Sequence, residues 1–206
     1  MSTTCIGKLW VVTSFAASIA SAVGYYFPYW LEGFYIHESG LRHPMYFGVF
    51  RRCSYPQLRE DGNVAIVDEC GRYTTFEDIP SLYWQISTIT VGIGACLSLL
   101  LSLTAVVTLC VSDIITVRVA RLTGVVQLFA GLLLGGGLAV YPNGWDTIQV
   151  RQACGGTSGV YQLGGCSLCW AFYLTAAGAG VTMFCSSLVC HAYKNKVNNR
   201  ASTYSV

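Results

Sequence analysis

Four stretches free of Asp, Glu, Lys and Arg divide this chain: residues 9–31, 79–112, 122–145 and 152–193. A bilayer span needs about 20 consecutive apolar residues, and each stretch exceeds that. Inside hydrocarbon, every backbone N–H and C=O must find its partner within its own segment, so one helix per stretch is the economical solution. The spacing predicts helices near 8–28, 84–110, 121–141 and 168–192, larger loops at 29–83 and 142–167, and a tail at 193–206. Composition excludes the water-soluble alternative. The chain is 53% hydrophobic and 11% charged, whereas soluble domains carry about 25% charged residues. The expected fold is an all-α membrane protein, one domain over residues 1–206: a four-helix bundle with a small antiparallel sheet in its first large loop.

An even number of spans puts both termini on one side of the bilayer. Lys8, Arg118, Arg121, Lys194, Lys196 and Arg200 fall on that side, and Arg42, Arg51, Arg52, Arg59, Arg72 and Arg151 on the other. The orientation rule weights short segments close to span ends. The first group sits in such segments and the second is spread through the large loops, so both termini are expected in the cytoplasm of a multi-pass plasma-membrane protein. A rival reading takes the N-terminus as a signal peptide ending at Ala20-Ser21-Ala22, a small-x-small pattern. Against it, the apolar run continues through Val23 to Phe27 and on to Trp30, an aromatic belt where a retained span would meet the interface.

Of the ten cysteines, Cys53, Cys70, Cys154 and Cys166 lie in the large loops. An even count there suits disulfides in an oxidising compartment. Pairing within each loop and pairing across the loops both satisfy the count. Closing Cys53 on Cys70 would contribute about 3 kcal/mol by chain entropy. Cys5, Cys96, Cys110, Cys169, Cys185 and Cys190 lie in or beside the spans, where apolar burial is expected. Cys5, Cys110 and Cys190 are also candidates for palmitoylation at the inner face.

In the first loop, the segments around Phe34–Ile36, Tyr46–Phe50 and Val64–Val67 carry strand signals, and Thr75–Ser81 reads as the start of the second helix. In the third span, Gly131 and Gly135 make a GxxxG pattern that lets backbones approach. Ser14, Ser18 and Ala22 form a comparable small-residue line on the first. Both are expected to pack inside the bundle, with a dimer interface as the alternative. Gln127, the one strongly polar side chain deep in a span, should hydrogen-bond to a neighbouring helix.

Basic side chains occur only at the ends of the predicted spans (Lys8, Arg121 and His191) and acidic ones not at all, although ionisable residues deep within spans mark pumps and transporters. There is no nucleotide-binding loop and no HExxH. His37 and His43 are isolated, His191 sits at an inner helix end, and the basic residues are too scattered for nucleic acid. No enzymatic activity, cofactor or metal is expected. Phe50, Arg51, Arg52 and Tyr55, with Trp30, are candidates for contact with a partner, because Arg and aromatic residues dominate interface energetics. The bland alternative is that the arginines pair locally with Glu60, Asp61, Asp68 or Glu69. The tail ends at Tyr204 and Val206, a pattern that can add as a strand to a PDZ scaffold.

Trp30, Gly48-Val49-Phe50-x-x-Cys53 and Cys70 together resemble the Trp…Gly-Leu-Trp…Cys…Cys signature of the claudin superfamily, with Val49 in place of Leu and Phe50 in place of Trp. The chain is more similar to the lipoma HMGIC fusion partner-like family of tetraspan proteins, nearest its founding-member branch. The resemblance is carried by Phe50-Arg51-Arg52-Cys53-Ser54-Tyr55-Pro56, Glu69-Cys70-Gly71-Arg72-Tyr73 and Ile79-Pro80-Ser81. It continues through Tyr141-Pro142-x-Gly144-Trp145-Asp146, Cys154-Gly155, Leu163-Gly164, Cys166 and Trp170-Ala171. It implies a left-handed four-helix bundle under a claudin-like sheet, with disulfides in both loops. It also implies a non-enzymatic role in the lipid bilayer, as an auxiliary or assembly subunit bound to another integral membrane protein such as a channel or receptor. A claudin-like adhesion protein, binding copies of itself in lateral polymers, is the alternative.

Overall fold

The computed structural model describes residues 5–36, 42–58, 64–110 and 117–203. Helix α1 (Cys5–Tyr26) leads into strands β1 (Leu31–Ile36), β2 (Arg42–Phe47), β3 (Arg51–Leu58) and β4 (Val64–Arg72). Helices α2 (Leu82–Cys110) and α3 (Val117–Val140) follow. A 3-10 turn (Tyr141–Asp146), short helix α4 (Ile148–Ala153), two-residue strand β5 (Ser167–Leu168) and helix α5 (Trp170–Thr203) complete the order. Among the described residues, four segments are long and apolar enough to cross a membrane: Ile6–Tyr26, Leu82–Val107, Arg118–Asp146 and Trp170–Val189.

The long helices form a ring in which α1 packs on α2 and α5, and α3 packs on α2 and α5. Small residues set the spacing. A Cβ on Gly24 would collide with Thr175, and one on Gly178 with Ser21, so α1 and α5 meet backbone to backbone. Buried hydroxyls tie the ring, with Ser18 Oγ 2.8 Å from Ser102 Oγ and Ser87 Oγ donating to the Gly137 carbonyl at 2.9 Å. Leu9, Val12, Phe15 and Ile19 stay exposed on the outer stripe of α1, at the helical spacing a lipid-facing surface requires.

The sheet is antiparallel with order β4-β3-β2-β1-β5. Leu31 pairs with Phe47 and with Leu168, which stitches the start of α5 to the sheet. On β3, Cys53 stands opposite Cys70, and a bulge follows at Ser54, whose φ is 53°.

Three local expectations differ. The strand expected over Tyr46–Phe50 ends at Phe47, and Gly48 donates to the Arg51 carbonyl at 2.8 Å to close a turn. The chain leaves the ladder there, with Val49 fully buried and its carbonyl within 2.8 Å of Thr88 Oγ1 on α2. Thr75–Ser81 is irregular, and α2 starts only after Ser81, whose Oγ accepts from the Trp84 N–H at 3.1 Å. The fourth helix begins at Trp170 and runs on to Thr203, since no Pro or Gly in residues 192–203 interrupts it. The 111–116 part of the loop between α2 and α3, and Tyr204 and Val206 of the tail candidate, lie outside the described residues.

Candidate functional site

Where sheet meets bundle, an aromatic column takes in two of the motif residues, Trp30 and Tyr141. Trp84, near the start of α2, stacks on Tyr141 with centroids 4.8 Å apart and planes 11° apart. Its Nε1 donates to the Tyr141 carbonyl at 3.0 Å. Tyr141 meets Trp30 edge-on at 5.0 Å, and Trp30 meets Phe172 at 5.5 Å. Phe47 closes the column against Trp84 at 5.9 Å. Gly144 is what lets the turn come this close, because a Cβ there would fall on the Trp84 ring. Aromatic pairs of this kind contribute about 0.5–1.5 kcal/mol each beyond their buried area.

The turn Gly48-Val49-Phe50 plugs the sheet into the ring. Val49 is wholly buried, and its carbonyl accepts from Thr88 Oγ1 on α2 at 2.8 Å. Phe50 packs on Tyr25 of α1, centroids 4.8 Å apart. A Cβ on Gly48 would lie 2.8 Å from the Pro28 Cα. The joint is therefore built from both helices that flank the sheet in sequence.

Trp30, expected as a partner contact, has no exposed surface, and its Nε1 donates to the Gly24 carbonyl at 2.7 Å. It is a core residue of the joint, closed to any partner in this conformation. Phe50, Arg51, Arg52 and Tyr55 are half-buried. The arginines lie over tyrosine rings. Arg51 is 4.5 Å from the Tyr26 centroid, and Arg52 is 3.9 Å from Tyr55 and 5.0 Å from Tyr73. Among the described residues, the one ion pair joins Arg151 to Asp146 at 3.6 Å, so Asp68 and Glu69 do not pair with them. Glu60 and Asp61 lie outside the described residues. Tyr73 is almost entirely buried, and desolvation pushes its hydroxyl well above the ordinary phenol range, against a smaller lowering from Arg52.

The disulfides are Cys53–Cys70 and Cys154–Cys166, so pairing runs within each segment rather than across. Cys96 is exposed on α2, Cys185 is buried, and Cys169 is half-buried beside Glu32. The side chains of Cys5, Cys110, Cys190 and His191 fall outside the description, as does His37. His43 is half-buried on β2, opposite Tyr35. Among the described residues, no three His, Cys, Asp or Glu side chains are grouped to hold a metal ion.

Gln127 spans the diagonal of the ring. Its Oε1 accepts from Trp10 Nε1 at 3.1 Å and its Nε2 donates to Ser14 Oγ at 2.9 Å, both on α1. The two glycines of the GxxxG pattern separate. Gly131 packs against Met183 of α5, whereas a Cβ on Gly135 would meet nothing within 4 Å. Sequence reasoning passed over Thr88, Trp84 and Trp10. Thr88 carries no local signal, since a lone threonine in a span reads as filler. The two tryptophans had one, because a buried indole N–H usually finds an acceptor.

The lipoma HMGIC fusion partner-like family model matches residues 6–194. The chain is 30% identical over 198 residues to human LHFPL tetraspan subfamily member 2 protein, covering 89% of this chain and 85% of that one. It is 30% identical to zebrafish member 3 protein, covering 84% and 74%. Human member 4 protein is 31% identical, with 84% and 66% covered. This chain, with its four membrane-crossing helices under a disulfide-pinned sheet, belongs to the lipoma HMGIC fusion partner-like family of tetraspan membrane proteins.

Proposed function

We propose that this chain is a non-enzymatic accessory subunit of a plasma-membrane channel or receptor, with both termini cytoplasmic and the sheet outside. It grips its partner through the lipid-facing helix surfaces and the sheet, and affects assembly, trafficking or gating. One observation carries the reading: Trp30, Val49 and Tyr141 are buried in a joint that fixes the sheet to the bundle, as a presenting platform requires. What remains outward is contact surface. Phe34, Phe76 and Ile148 of the head are exposed, Ile148 by 75%, and β4 ends the sheet with one partner strand, β3. An unpaired strand edge is a template for another chain. Tyr204 and Val206 are proposed to hold a PDZ scaffold on the inner side.

The test is the distribution of the tagged protein in a culture mixing expressing and non-expressing cells. An accessory subunit spreads over free surface and contact alike. Enrichment confined to contacts between two expressing cells would favour adhesion instead.

A further inference from the structure

In the ladder between β3 and β4, Arg51 stands directly opposite Arg72. Side chains at such positions leave the same face of a sheet with Cβ atoms about 4.5–5.5 Å apart, and like charges so placed repel. Among the described residues, no carboxylate pairs with either one. The Arg51 guanidinium lies 4.5 Å over Tyr26, the last residue of the first membrane-crossing segment. The pair therefore stands where that span meets the headgroups. Among the described residues, Arg51 Nε is shielded from water and has no hydrogen-bond partner, while Arg72 is exposed. A guanidinium presents its donors as a fork that matches two phosphate oxygens.

We propose that Arg51 and Arg72 bind the phosphodiester of a lipid headgroup in the leaflet on the sheet's side. A phosphate between the two guanidiniums accepts from both and cancels the repulsion across the ladder. Exposed Tyr26 and Phe27 beside it offer apolar surface to the glycerol and upper acyl chain. This height on the span favours a lipid over an acidic protein segment. The proposal uses the bilayer reading alone, and its test needs no partner protein.

The experiment is native mass spectrometry of the full chain, delipidated in mild detergent. It is titrated with dioleoyl phosphatidylglycerol, dioleoyl phosphatidylcholine or dioleoylglycerol. Both phospholipids should bind and dioleoylglycerol should not. The double variant Arg51→Gln/Arg72→Gln should bind phospholipid about 30-fold more weakly, and Arg151→Gln should match the unaltered chain. Equal binding of dioleoylglycerol, or an unchanged double variant, overturns the proposal. So does loss of a co-purifying acidic protein from the double variant while phospholipid binding persists.

Thermal unfolding guards against a folding artefact. Without phospholipid, Arg72→Gln should be no less stable than the unaltered chain, because it relieves the like-charge pair. Adding phospholipid should raise the midpoint of the unaltered chain and leave the variant's in place. Equal destabilisation of the variant with and without phospholipid would mean that the arginines only brace the sheet.

Discussion

The hydroxyl of Thr88, in the second turn of α2, lies 2.8 Å from the main-chain carbonyl of Val49 and 2.8 Å from that of Trp84, so its one hydrogen is shared between them, and Thr88 and Val49 are both buried. This bond crosses the joint between sheet and bundle and reads no side chain on the sheet, only the path of its backbone. Thr88→Val keeps the shape and orphans the carbonyl. An unsatisfied buried acceptor costs about 1–3 kcal/mol, so the thermal midpoint in detergent should fall while the disulfides still form. An unchanged midpoint would mean the turn is held by packing alone.

Gly144 and Gly135 separate tight packing from sequence pattern. Gly144→Ala drives a methyl into the Trp84 ring, whereas Gly135→Ala meets open space. Overpacking typically costs about 1–3 kcal/mol. Fluorescence-detected size exclusion should show the first variant reduced or aggregated and the second monodisperse.

Gln127→Leu removes both polar links between α3 and α1 and leaves the Trp10 indole N–H without its acceptor. Hydrogen bonds between membrane helices average about 0.6 kcal/mol. The variant should fold and traffic with a modest loss of thermal stability. Complete loss of expression would assign Gln127 a larger role than bundle packing.

Cys53→Ser and Cys70→Ser open a loop of sequence separation 17, and Cys154→Ser or Cys166→Ser one of 12. Each closure is worth about 3 kcal/mol by chain entropy. All four variants should be retained before the cell surface, as read by surface biotinylation. Cys96→Ser should be close to silent, because Cys96 is an exposed free thiol on α2. Normal surface levels of Cys53→Ser would remove the argument that this bond pins the sheet.

Burial, and after it the Glu32 carboxylate that accepts from the thiol, pushes Cys169 up to about 11. The folded state thereby favours the neutral thiol. The associated stability is fully present below the ordinary thiol value of 9.0 and is lost as pH climbs through about 11. Iodoacetamide should modify Cys169 slowly at pH 9 and faster toward pH 11, followed by peptide mass spectrometry. Glu32→Gln should bring that rise to lower pH. Rapid modification of the unaltered protein at pH 9 would contradict the assignment.

The bundle was legible because the bilayer dictates it: runs without charge can only be helices, and Gln127 had to find a partner across the ring. The joint was not. Trp30 looked like a contact residue because a tryptophan at a span end usually faces the interface, yet the chain folds back and buries it between Tyr141 and Phe172. Val49 and Phe50 looked like the end of a strand. Their true role depends on Thr88 and Tyr25, 39 residues after and 25 before their respective partners, and no local pattern reports a contact at that separation. Arg51 and Arg52 offered nearby carboxylates as partners, whereas the fold supplies tyrosine faces.

An accessory subunit, as proposed above, is held in a fixed ratio to its partner, and that ratio is the quantity to measure. The measurement is proximity labelling from a tag on the sheet in native tissue, combined with quantitative mass spectrometry of complexes purified in mild detergent. One channel or receptor should be recovered at a near-fixed ratio to this protein in both samples. Recovery of mainly this protein itself together with junctional scaffolds would contradict it.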